Sequence, residues 1–575
     1  MGSFHRKGRK DLRQIKQIKE REKKNMKRII SRCMAVLLTV AMILTMSMTA
    51  FASEEAAVTG PAATGTLTVN NTVEGKTLDL YQIFTAVNAN GSVLYTLNTA
   101  YNGFFKTKVT NGSNLEGEAL SKAAYEYVKN QVGDTGEAET AKIFAKDILS
   151  WILSAKDEVK TAIDATVKTV NTSTGTTVID NMAYGYYLVY PEGATDTSSA
   201  PGSQKYTSIA SLVSVTDEHA TINMKSNYPT VVKKVNDKNA DDVNIGDTVT
   251  YTLTSKVPDM TGYTSYIFNF KDTLSAGLTF KEITSVTVDK TTITKVDAGQ
   301  EADNTYTLTQ DGQNITITMN NFLASNKDKT GKEIKVTYTA TLNENAVTGF
   351  DANKNSATVE YSNKPGTTDK GESKPSIVDV HTFNFTIFKY YLKDQNKKDD
   401  KTGLANAEFE LYKENGGVVG EKVNIKKVSD GVYRVATSEE AAVEGFESDK
   451  IVSGTDGKVL VKGLDAGTYY LRETTAPEGY NKLQSDITVE IKPVYDTTTG
   501  KLTSYSVDYI YNRKTTTGTA ITSKDNSPEV AVENKAGAQL PSTGSKGALM
   551  VTLAGIVLFG ALTVSKAFGK KKAKN

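Results

Sequence analysis

The fold class follows from short stretches in which every second residue is apolar, the clearest being Phe383-Asn384-Phe385-Thr386-Ile387-Phe388-Lys389. Alternation with a period of two is typical of a β-strand that buries one face. The same pattern recurs upstream in stretches rich in Val, Ile, Thr and Tyr, at residues 248–253, 278–280, 315–319 and 334–340. Because turn residues separate these stretches at short intervals, the sequence predicts tandem antiparallel β-sandwiches.

The first part of the chain combines strands with helices. Strand-like alternation occurs at residues 66–69 and 184–190, and residues 120–128 and 141–153 between them have helical spacing. Trp151, the only tryptophan, lies in the second helical stretch and is predicted to pack in a core. We therefore expect a mainly β protein with tandem Ig-like β-sandwich domains at residues 226–376 and 377–514, preceded by an α+β N-terminal domain at residues 66–225.

The N-terminus has the pattern of a secretory signal. Met26-Lys27-Arg28 opens a charged segment, and an apolar stretch follows at residues 34–48. Small residues precede a predicted cleavage site between Ala52 and Ser53. Residues 1–52 are therefore interpreted as a signal peptide with a basic extension, and no nucleic-acid binding is expected from that extension.

The C-terminus combines a short motif, Leu540-Pro541-Ser542-Thr543-Gly544, with an apolar run at residues 547–564 and a basic tail. The apolar run is close to the ~20 residues that cross a bilayer, and the lysines after it favour the cytoplasmic side. Together these features resemble the cell-wall sorting signal of Gram-positive surface proteins. That resemblance implies sortase cleavage between Thr543 and Gly544, and a secreted, peptidoglycan-anchored protein. The polar residues 515–539 are predicted to be a flexible spacer.

Composition excludes several classes of function. The net charge is only +2, which implies no strongly acidic or basic partner. The single cysteine, Cys33, lies within the predicted signal, so disulfides cannot stabilise the secreted chain. The three histidines are far apart in sequence, and no metal site, cofactor or enzymatic active site is predicted.

The third block carries the most specific internal motif, Leu471-Arg472-Glu473-Thr474-Thr475-Ala476-Pro477-Glu478-Gly479-Tyr480. It resembles the signature of B-type collagen-adhesin domains, which join a lysine of the first strand to an asparagine of the last strand by an isopeptide bond. The resemblance implies a bond between Lys389 and Asn512, with Glu473 assisting the reaction.

Elementary chemistry supports a reactive lysine at this position. Lys389 shares the inward strand face with Phe383, Phe385 and Ile387. Burial lowers the pKa of a lysine and so provides a neutral nucleophilic amine. A carboxyl in the same apolar core can stay protonated, polarise the asparagine carbonyl and transfer protons as ammonia leaves.

The second block repeats this arrangement with weaker signals. Residues 270–280 resemble the segment of A-type adhesin and pilin domains in which an aspartate takes the proton-transfer role, here Asp272. The resemblance implies an isopeptide bond between Lys233, which shares strand parity with Val231 and Val235, and Asn355. Two further asparagines have the same parity as Asn355 and stay open as alternatives: Asn353 and Asn363.

The boundary between the first two blocks carries Lys225. Major pilins of sortase-built pili have a lysine here, which a pilus-type sortase joins to the threonine of the next subunit. The resemblance thus implies a link from Lys225 to Thr543 of another copy, and a backbone pilin that forms a pilus shaft and supports surface attachment. The implied partners are pilus-type and housekeeping sortases, other copies of the chain, minor pilins, peptidoglycan and a host surface ligand. The alternative is a monomeric wall-anchored adhesin that binds a host protein or glycan.

Overall fold

The structure is a computed structural model that describes residues 63–89, 92–133, 139–195, 209–224 and 227–537. The predicted signal-cleavage site at Ala52 and Ser53, the junction lysine Lys225 and the sorting motif at residues 540–544 lie outside these ranges. No helix among the described residues is long and apolar enough to cross a membrane.

The first domain consists of two β-sheets and a layer of helices. One sheet has the strand order β5-β1-β8 and the other the order β3-β2-β6-β7, with β4 added to β2. The helices pack their apolar faces, which include Phe144 and Ile148, against the second sheet. The strands are β1 Thr64–Thr72, β2 Thr77–Ala89, β3 Ser92–Leu97, β4 Val167–Asn171, β5 Gly175–Ala183, β6 Gly185–Pro191, β7 Ser211–Val215 and β8 His219–Asn223. The α-helices span Asn102–Lys108, Gly117–Val132, Glu139–Ser154 and Asp157–Asp164, and short 3-10 turns span Thr99–Tyr101 and Gly112–Asn114.

The second domain is a sandwich of two sheets around an aromatic core. One sheet has the order β14-β13-β18-β11-β9, and the other has the order β10-β21-β19-β12-β17-β16-β15, with β20 added to β19. The alternation of the sequence puts apolar residues of both sheets into the space between them. The strands are β9 Val232–Val235, β10 Ala240–Asp242, β11 Thr248–Lys256, β12 Phe268–Leu274, β13 Leu278–Val288, β14 Thr291–Thr292, β15 Thr294–Lys295, β16 Thr305–Asp311, β17 Asn314–Met319, β18 Glu333–Leu342, β19 Asn353–Ser362, β20 Lys370–Glu372 and β21 Ser376–His381, with one helix at Phe322–Asn326.

The third domain is also a two-sheet sandwich. One sheet has the order β23-β22-β29-β27-β26, with β34 added to β22, and the other has the order β25-β24-β30-β31-β32-β33, with β28 added to β24. The strands are β22 Phe383–Leu392, β23 Lys401–Gly403, β24 Glu408–Asn415, β25 Val418–Lys422, β26 Ile425–Ser429, β27 Val432–Val435, β28 Ile451–Val452, β29 Lys458–Leu464, β30 Gly467–Thr475, β31 Ile487–Tyr495, β32 Leu502–Tyr511, β33 Lys514–Thr516 and β34 Glu529–Glu533, with a helical turn at Ser438–Ala441.

The end of the third domain differs from the sequence prediction. Residues 515–539 were expected to be a flexible spacer, but β34 lies within them and pairs in parallel with β22. Val530 and Val532 of β34 are buried in the core. The chain stays attached beyond this strand, because the amide of Gly537 donates to the carbonyl of Gly479 at 2.9 Å. The spacer prediction is therefore wrong for the residues up to Gly537, since burial of alternate valines fixes them to the sheet.

Polar contacts join neighbouring domains. Lys364 of the second domain forms a salt bridge with the buried Glu192 of the first and lies 3.9 Å from the carboxylate of Asp79. At the next junction, Asp242 of the second domain accepts hydrogen bonds from the amide of Ala466 at 2.7 Å and the hydroxyl of Tyr495 at 2.9 Å. The domains thus contact one another through buried or half-buried charges as well as through the chain.

Candidate functional site

The second domain holds a buried cluster built from both of its sheets. Lys233 on β9 and Tyr338 on β18 come from one sheet, and Asp272 on β12 and Asn355 on β19 come from the other. Successive residues of a strand point to opposite faces, and this alternation aims the side chain of Lys233 inward. Lys233 is accordingly buried, whereas its neighbour Lys234 on the opposite face is half-exposed. All four clustered side chains are buried.

Hydrogen bonds connect the four side chains of this cluster. The amine of Lys233 forms a salt bridge with Oδ2 of Asp272 and donates to the hydroxyl of Tyr338 at 2.7 Å. That hydroxyl donates to Oδ2 of Asp272 at 2.8 Å and accepts from Nδ2 of Asn355 at 2.7 Å. Lys233, Asp272 and Asn355, which the sequence singled out, are thus brought together by a tyrosine that sequence reasoning missed.

Burial controls the protonation of the lysine in this cluster. It lowers the pKa of Lys233 to about 8, although the Asp272 carboxylate opposes that shift. The amine also lies over the rings of Tyr251 and Tyr338, at 4.9 and 5.1 Å from their centroids. Roughly one tenth of the amine is therefore neutral at pH 7, far more than for a lysine in water.

The structure distinguishes between the three asparagines that strand parity left open. Asn353 uses its side chain on the backbone, because its Nδ2 donates to the carbonyls of Val347 at 3.0 Å and Val380 at 3.2 Å. Asn363 lies at the contact with the first domain, beside Gly193. Asn355 is the asparagine in the cluster with Lys233, so the geometry favours it over the other two.

The third domain holds a second buried cluster. The amine of Lys389 on β22 hydrogen-bonds to Oδ1 of Asn534 and lies 2.9 Å from Oε1 of Glu473 on β30. Nδ2 of Asn534 donates to the same Oε1 at 3.1 Å, and the other carboxylate oxygen accepts from the amide of Leu483 at 2.7 Å. Burial lowers the pKa of Lys389 to about 8, with Glu473 opposing the shift.

Asn512 is not part of this cluster, and the prediction that paired it with Lys389 is wrong. It is exposed, and it lies in the left-handed region at φ 49° between β32 and β33. These strands belong to the sheet opposite β22. The strand that ends beside Lys389 is β34, and the residue that follows it is Asn534.

A local signal for Asn534 was present in the sequence. Val530, Val532 and Asn534 share one strand parity, as Phe385, Ile387 and Lys389 do in β22. The polar composition of residues 515–539 hid this short strand. Tyr338 had no comparable signal, because its place in an alternating strand does not distinguish it from other aromatic residues that pack in a sandwich core.

Each cluster has the groups needed to condense an amine with a carboxamide. The lysine provides the nucleophile, the asparagine provides the carbonyl carbon and an amide nitrogen that can leave, and the carboxyl provides a site for protons in transit. Among the described residues, no group of three or more histidine, cysteine, aspartate or glutamate side chains could hold a metal ion.

Comparison with known proteins assigns the two sandwich domains to families. Residues 245–365 match the family model described as Gram-positive pilin backbone subunit 2, Cna-B-like domain. Residues 394–505 match the SpaA model, a prealbumin-like fold domain. The second sandwich domain is thus similar to a domain of Gram-positive pilin backbone subunits, and the third is similar to a prealbumin-like domain. The pilin resemblance and the mainly β, multidomain fold predicted from the sequence are confirmed.

Individual relatives match this chain over only part of their own length. Fimbrial subunit type 2 of Actinomyces naeslundii is 27% identical over 272 residues, 44% of this chain and 48% of the relative. The trypsin-resistant surface T6 protein of Streptococcus pyogenes serotype M6 is 24% identical over 336 residues, 53% of this chain and 52% of the relative. The chain thus spans about half the length of these curated relatives.

Among solved structures, the T6 backbone pilin of serotype M6 Streptococcus pyogenes aligns with a TM-score of 0.43 and 17% identity, over 83% of this chain and 99% of that chain.

The type of the second domain differs from the interpretation made from the sequence. The family model describes residues 245–365 as Cna-B-like, whereas the resemblance of residues 270–280 had pointed to an A-type domain.

Proposed function

We propose that this chain is the structural shaft subunit of a covalently polymerised, cell-wall-anchored pilus whose second and third domains each form one intramolecular Lys–Asn isopeptide bond. The observation that carries the proposal is the buried lysine held beside a carboxyl and an asparagine in each of these two sandwich domains. The family model that the second domain matches, Gram-positive pilin backbone subunit 2, supports the same function.

The bond-forming reaction balances without a cofactor. The neutral amine of Lys389 attacks Cγ of Asn534, Glu473 takes up a proton from the amine, and the amide nitrogen leaves as ammonia after gaining a proton. Lys233, Asn355 and Asp272 perform the same condensation in the second domain. Because each cluster is consumed in its own product, the reaction occurs once per domain, and the chain is structural rather than an enzyme.

Covalent cross-links suit this chain because it lacks the usual extracellular stabiliser. Its one cysteine, Cys33, precedes the predicted signal-cleavage site between Ala52 and Ser53. An isopeptide bond between Lys389 and Asn534 would tie the last strand to the first strand of the domain, next to the segment that leads to the sorting motif. Tension applied at Thr543 would then pass through covalent bonds rather than through the sheets.

Assembly would use Lys225, between the first two domains, and the sorting motif that follows the third. A pilus-type sortase would recognise the motif that starts with Leu540-Pro541 and cleave it between Thr543 and Gly544. It would then join Thr543 to Lys225 of the next copy. Joining two different surfaces does not close a ring and so generates a fibre. A housekeeping sortase would attach the fibre to peptidoglycan, and minor pilins and a host surface ligand complete the proposed partners.

The test of the shaft function is the Lys225→Ala variant in the producing cell. We expect the high-mass ladder of wall extracts on denaturing gels to disappear, whereas Lys238→Ala, which removes an exposed lysine of the second domain, should keep the ladder. A ladder in Lys225→Ala would contradict the assignment of that lysine. Absence of a ladder in the parent strain would contradict the shaft function and favour a monomeric adhesin.

The isopeptide bonds are tested separately by the intact mass of the purified ectodomain. Each bond lowers the mass by one ammonia, so the parent chain should lack the mass of two. Peptide mapping should then recover Lys233 joined to Asn355 and Lys389 joined to Asn534. An ectodomain at its full sequence mass would contradict both bonds.

A further inference from the structure

We propose that Tyr338 is a catalytic residue of bond formation in the second domain, where it relays a proton from Asp272 to the amide nitrogen of Asn355 as that nitrogen leaves. This inference rests on the isopeptide bond proposed above and adds a fourth reacting group to it. The hydroxyl of Tyr338 is within hydrogen-bond distance of the attacking nitrogen, the carboxylate and the leaving nitrogen: 2.7 Å from Lys233, 2.8 Å from Asp272 and 2.7 Å from Asn355.

The carboxyl of Asp272 reaches the asparagine only through this hydroxyl. Oδ2 of Asp272 contacts the amine of Lys233 and the hydroxyl of Tyr338, while Oδ1 of Asp272 and Oδ1 of Asn355 have no hydrogen-bond partner among the described residues. The donors are ordered along one path, because Asn355 donates to Tyr338 and Tyr338 donates to Asp272. Such a path can carry a proton in the reverse direction when the leaving nitrogen becomes basic.

The third domain shows why the second needs this residue. Its carboxyl belongs to a glutamate, one methylene longer, and Oε1 of Glu473 contacts both the amine of Lys389 at 2.9 Å and Nδ2 of Asn534 at 3.1 Å. Within the described ranges, no tyrosine hydroxyl hydrogen-bonds to that cluster, and the amine lies over the ring of Phe409, at 5.7 Å from its centroid. Aspartate plus tyrosine therefore span the distance that glutamate spans alone.

The relay balances in protons. Attack of the Lys233 amine on Cγ of Asn355 forms the new C–N bond, and the attacking nitrogen gives one proton to Asp272. Asp272 gives a proton to the oxygen of Tyr338, which gives its own proton to Nδ2 of Asn355. The old C–N bond then breaks, ammonia leaves, and the tyrosine returns to its starting state.

The protonation of Tyr338 fits this role. Burial, and then the charge of Asp272, raise the pKa of Tyr338 well above its ordinary value. The side chain therefore stays a neutral phenol, which can accept one proton and donate another in the same event. A buried phenolate could accept a proton but would have none to donate.

The experiment compares Tyr338→Phe with Tyr251→Phe in the full ectodomain. Tyr251 stacks on Tyr338 at 5.1 Å between ring centroids, and its hydroxyl lies near Asn355 but forms no hydrogen bond to Lys233 or Asp272, so it cannot connect the carboxyl with the leaving nitrogen. Both changes keep the aromatic stack and remove one buried hydroxyl. We expect the second-domain bond to form about 100-fold more slowly in Tyr338→Phe. Before that reaction is complete, the variant should therefore lack the mass of one ammonia, the one released in the third domain. Tyr251→Phe should lack the mass of two.

A rescue variant separates catalysis from packing. In Asp272→Glu/Tyr338→Phe, the longer carboxyl should contact the asparagine directly, as Glu473 does, and the second-domain bond should return. Formation of the bond at the parental rate in Tyr338→Phe would overturn the relay. A double variant that stays unlinked would overturn it as well, whether or not the single variant folds.

The parent chain distinguishes failure of the relay from failure of the proposed function. If the parent ectodomain carries no Lys233–Asn355 bond, the proposed function of this cluster fails and the relay fails with it. If the parent is linked and Tyr338→Phe is linked equally fast, only the relay fails. The third-domain bond serves in every variant as an internal measure that the third domain has folded, and protease resistance of the second domain measures its own folding.

Discussion

Lys389 on β22 hydrogen-bonds to the side chain of Asn534, which lies 145 residues later and directly follows β34. The two strands run in parallel, with Lys389 opposite Val532, and the amide of Asn534 donates to the carbonyl of Tyr390 at 2.9 Å. A bond between these side chains would enclose nearly all of the third domain in one covalent loop.

The first prediction concerns which asparagine reacts in the third domain. Asn534→Ala should remove the carboxamide beside Lys389 and restore the mass of one ammonia. Asn512→Ala is the matched control, because Asn512 is exposed and should not affect the mass. Intact-mass spectrometry of both variants decides the matter, and a mass increase in Asn512→Ala alone would reverse the assignment.

The second prediction concerns the carboxyl of the third domain. Glu473→Ala should abolish the Lys389–Asn534 bond and leave the lysine buried without its carboxylate. By analogy with a disulfide that closes a loop of this length, we expect the free energy of unfolding to fall by about 5 kcal/mol. Thermal unfolding and protease digestion measure the effect, with the exposed Glu478→Ala as control. If Glu473→Ala keeps both the mass deficit and the stability, the role of Glu473 is wrong.

The third prediction concerns the asparagines of the second domain. Asn355→Ala should restore the mass of one ammonia, because its carboxamide lies in the cluster with Lys233 and Tyr338. Asn353→Ala should leave the bond intact while lowering stability, since it removes hydrogen bonds to Val347 and Val380. Peptide mapping that finds Lys233 joined to Asn353 or Asn363 would refute this choice.

The fourth prediction concerns the contact between the first two domains. Burial raises the pKa of Glu192 to about 7, Lys364 opposes the shift and Asp79 adds to it. Because the folded-state pKa is above its ordinary value, the folded state binds more protons than the unfolded state between these two pKa values. The contribution of Glu192 to stability should therefore fall as the pH rises from about 5 to about 8.

Thermal unfolding across this pH range measures the contribution of Glu192. Glu192→Gln should flatten the decline, whereas the exposed Glu218→Gln should not. An unchanged slope in Glu192→Gln would show that this carboxyl does not titrate in that range.

The fifth prediction concerns His381 near the contact between the second and third domains. Burial lowers the pKa of His381 to about 4, and both ring nitrogens have no hydrogen-bond partner among the described residues. The unfolded state therefore binds more protons between this value and the ordinary pKa of 6.5. The contribution of His381 to stability should therefore be lost as the pH falls through that interval.

His381→Phe should reduce this acid sensitivity, since the ring lies near Phe383 and Tyr495. The exposed His219→Phe is the control. Acid unfolding followed by far-ultraviolet circular dichroism measures both variants. Equal acid midpoints in the parent and in His381→Phe would contradict the prediction.

The sequence by itself determined most of the core strands and the two buried lysines. Alternation with a period of two is a local property, so it identifies the buried face of β22 and β9 and puts Lys389 and Lys233 on it. The motif around Glu473 and the segment around Asp272 identified the carboxyl group that accompanies each lysine. These residues could be named because each is specified by its immediate neighbours in the chain.

Only the tertiary structure decided which groups meet these lysines. Asn534 reaches Lys389 because β34 pairs with β22, and Tyr338 reaches Asn355 because two sheets pack face to face. Strand pairing across long stretches of chain depends on how whole sheets bury their apolar faces, and local periodicity carries no record of it. Alternation along a strand therefore predicts which side chains point inward, but it does not predict which residues those side chains contact.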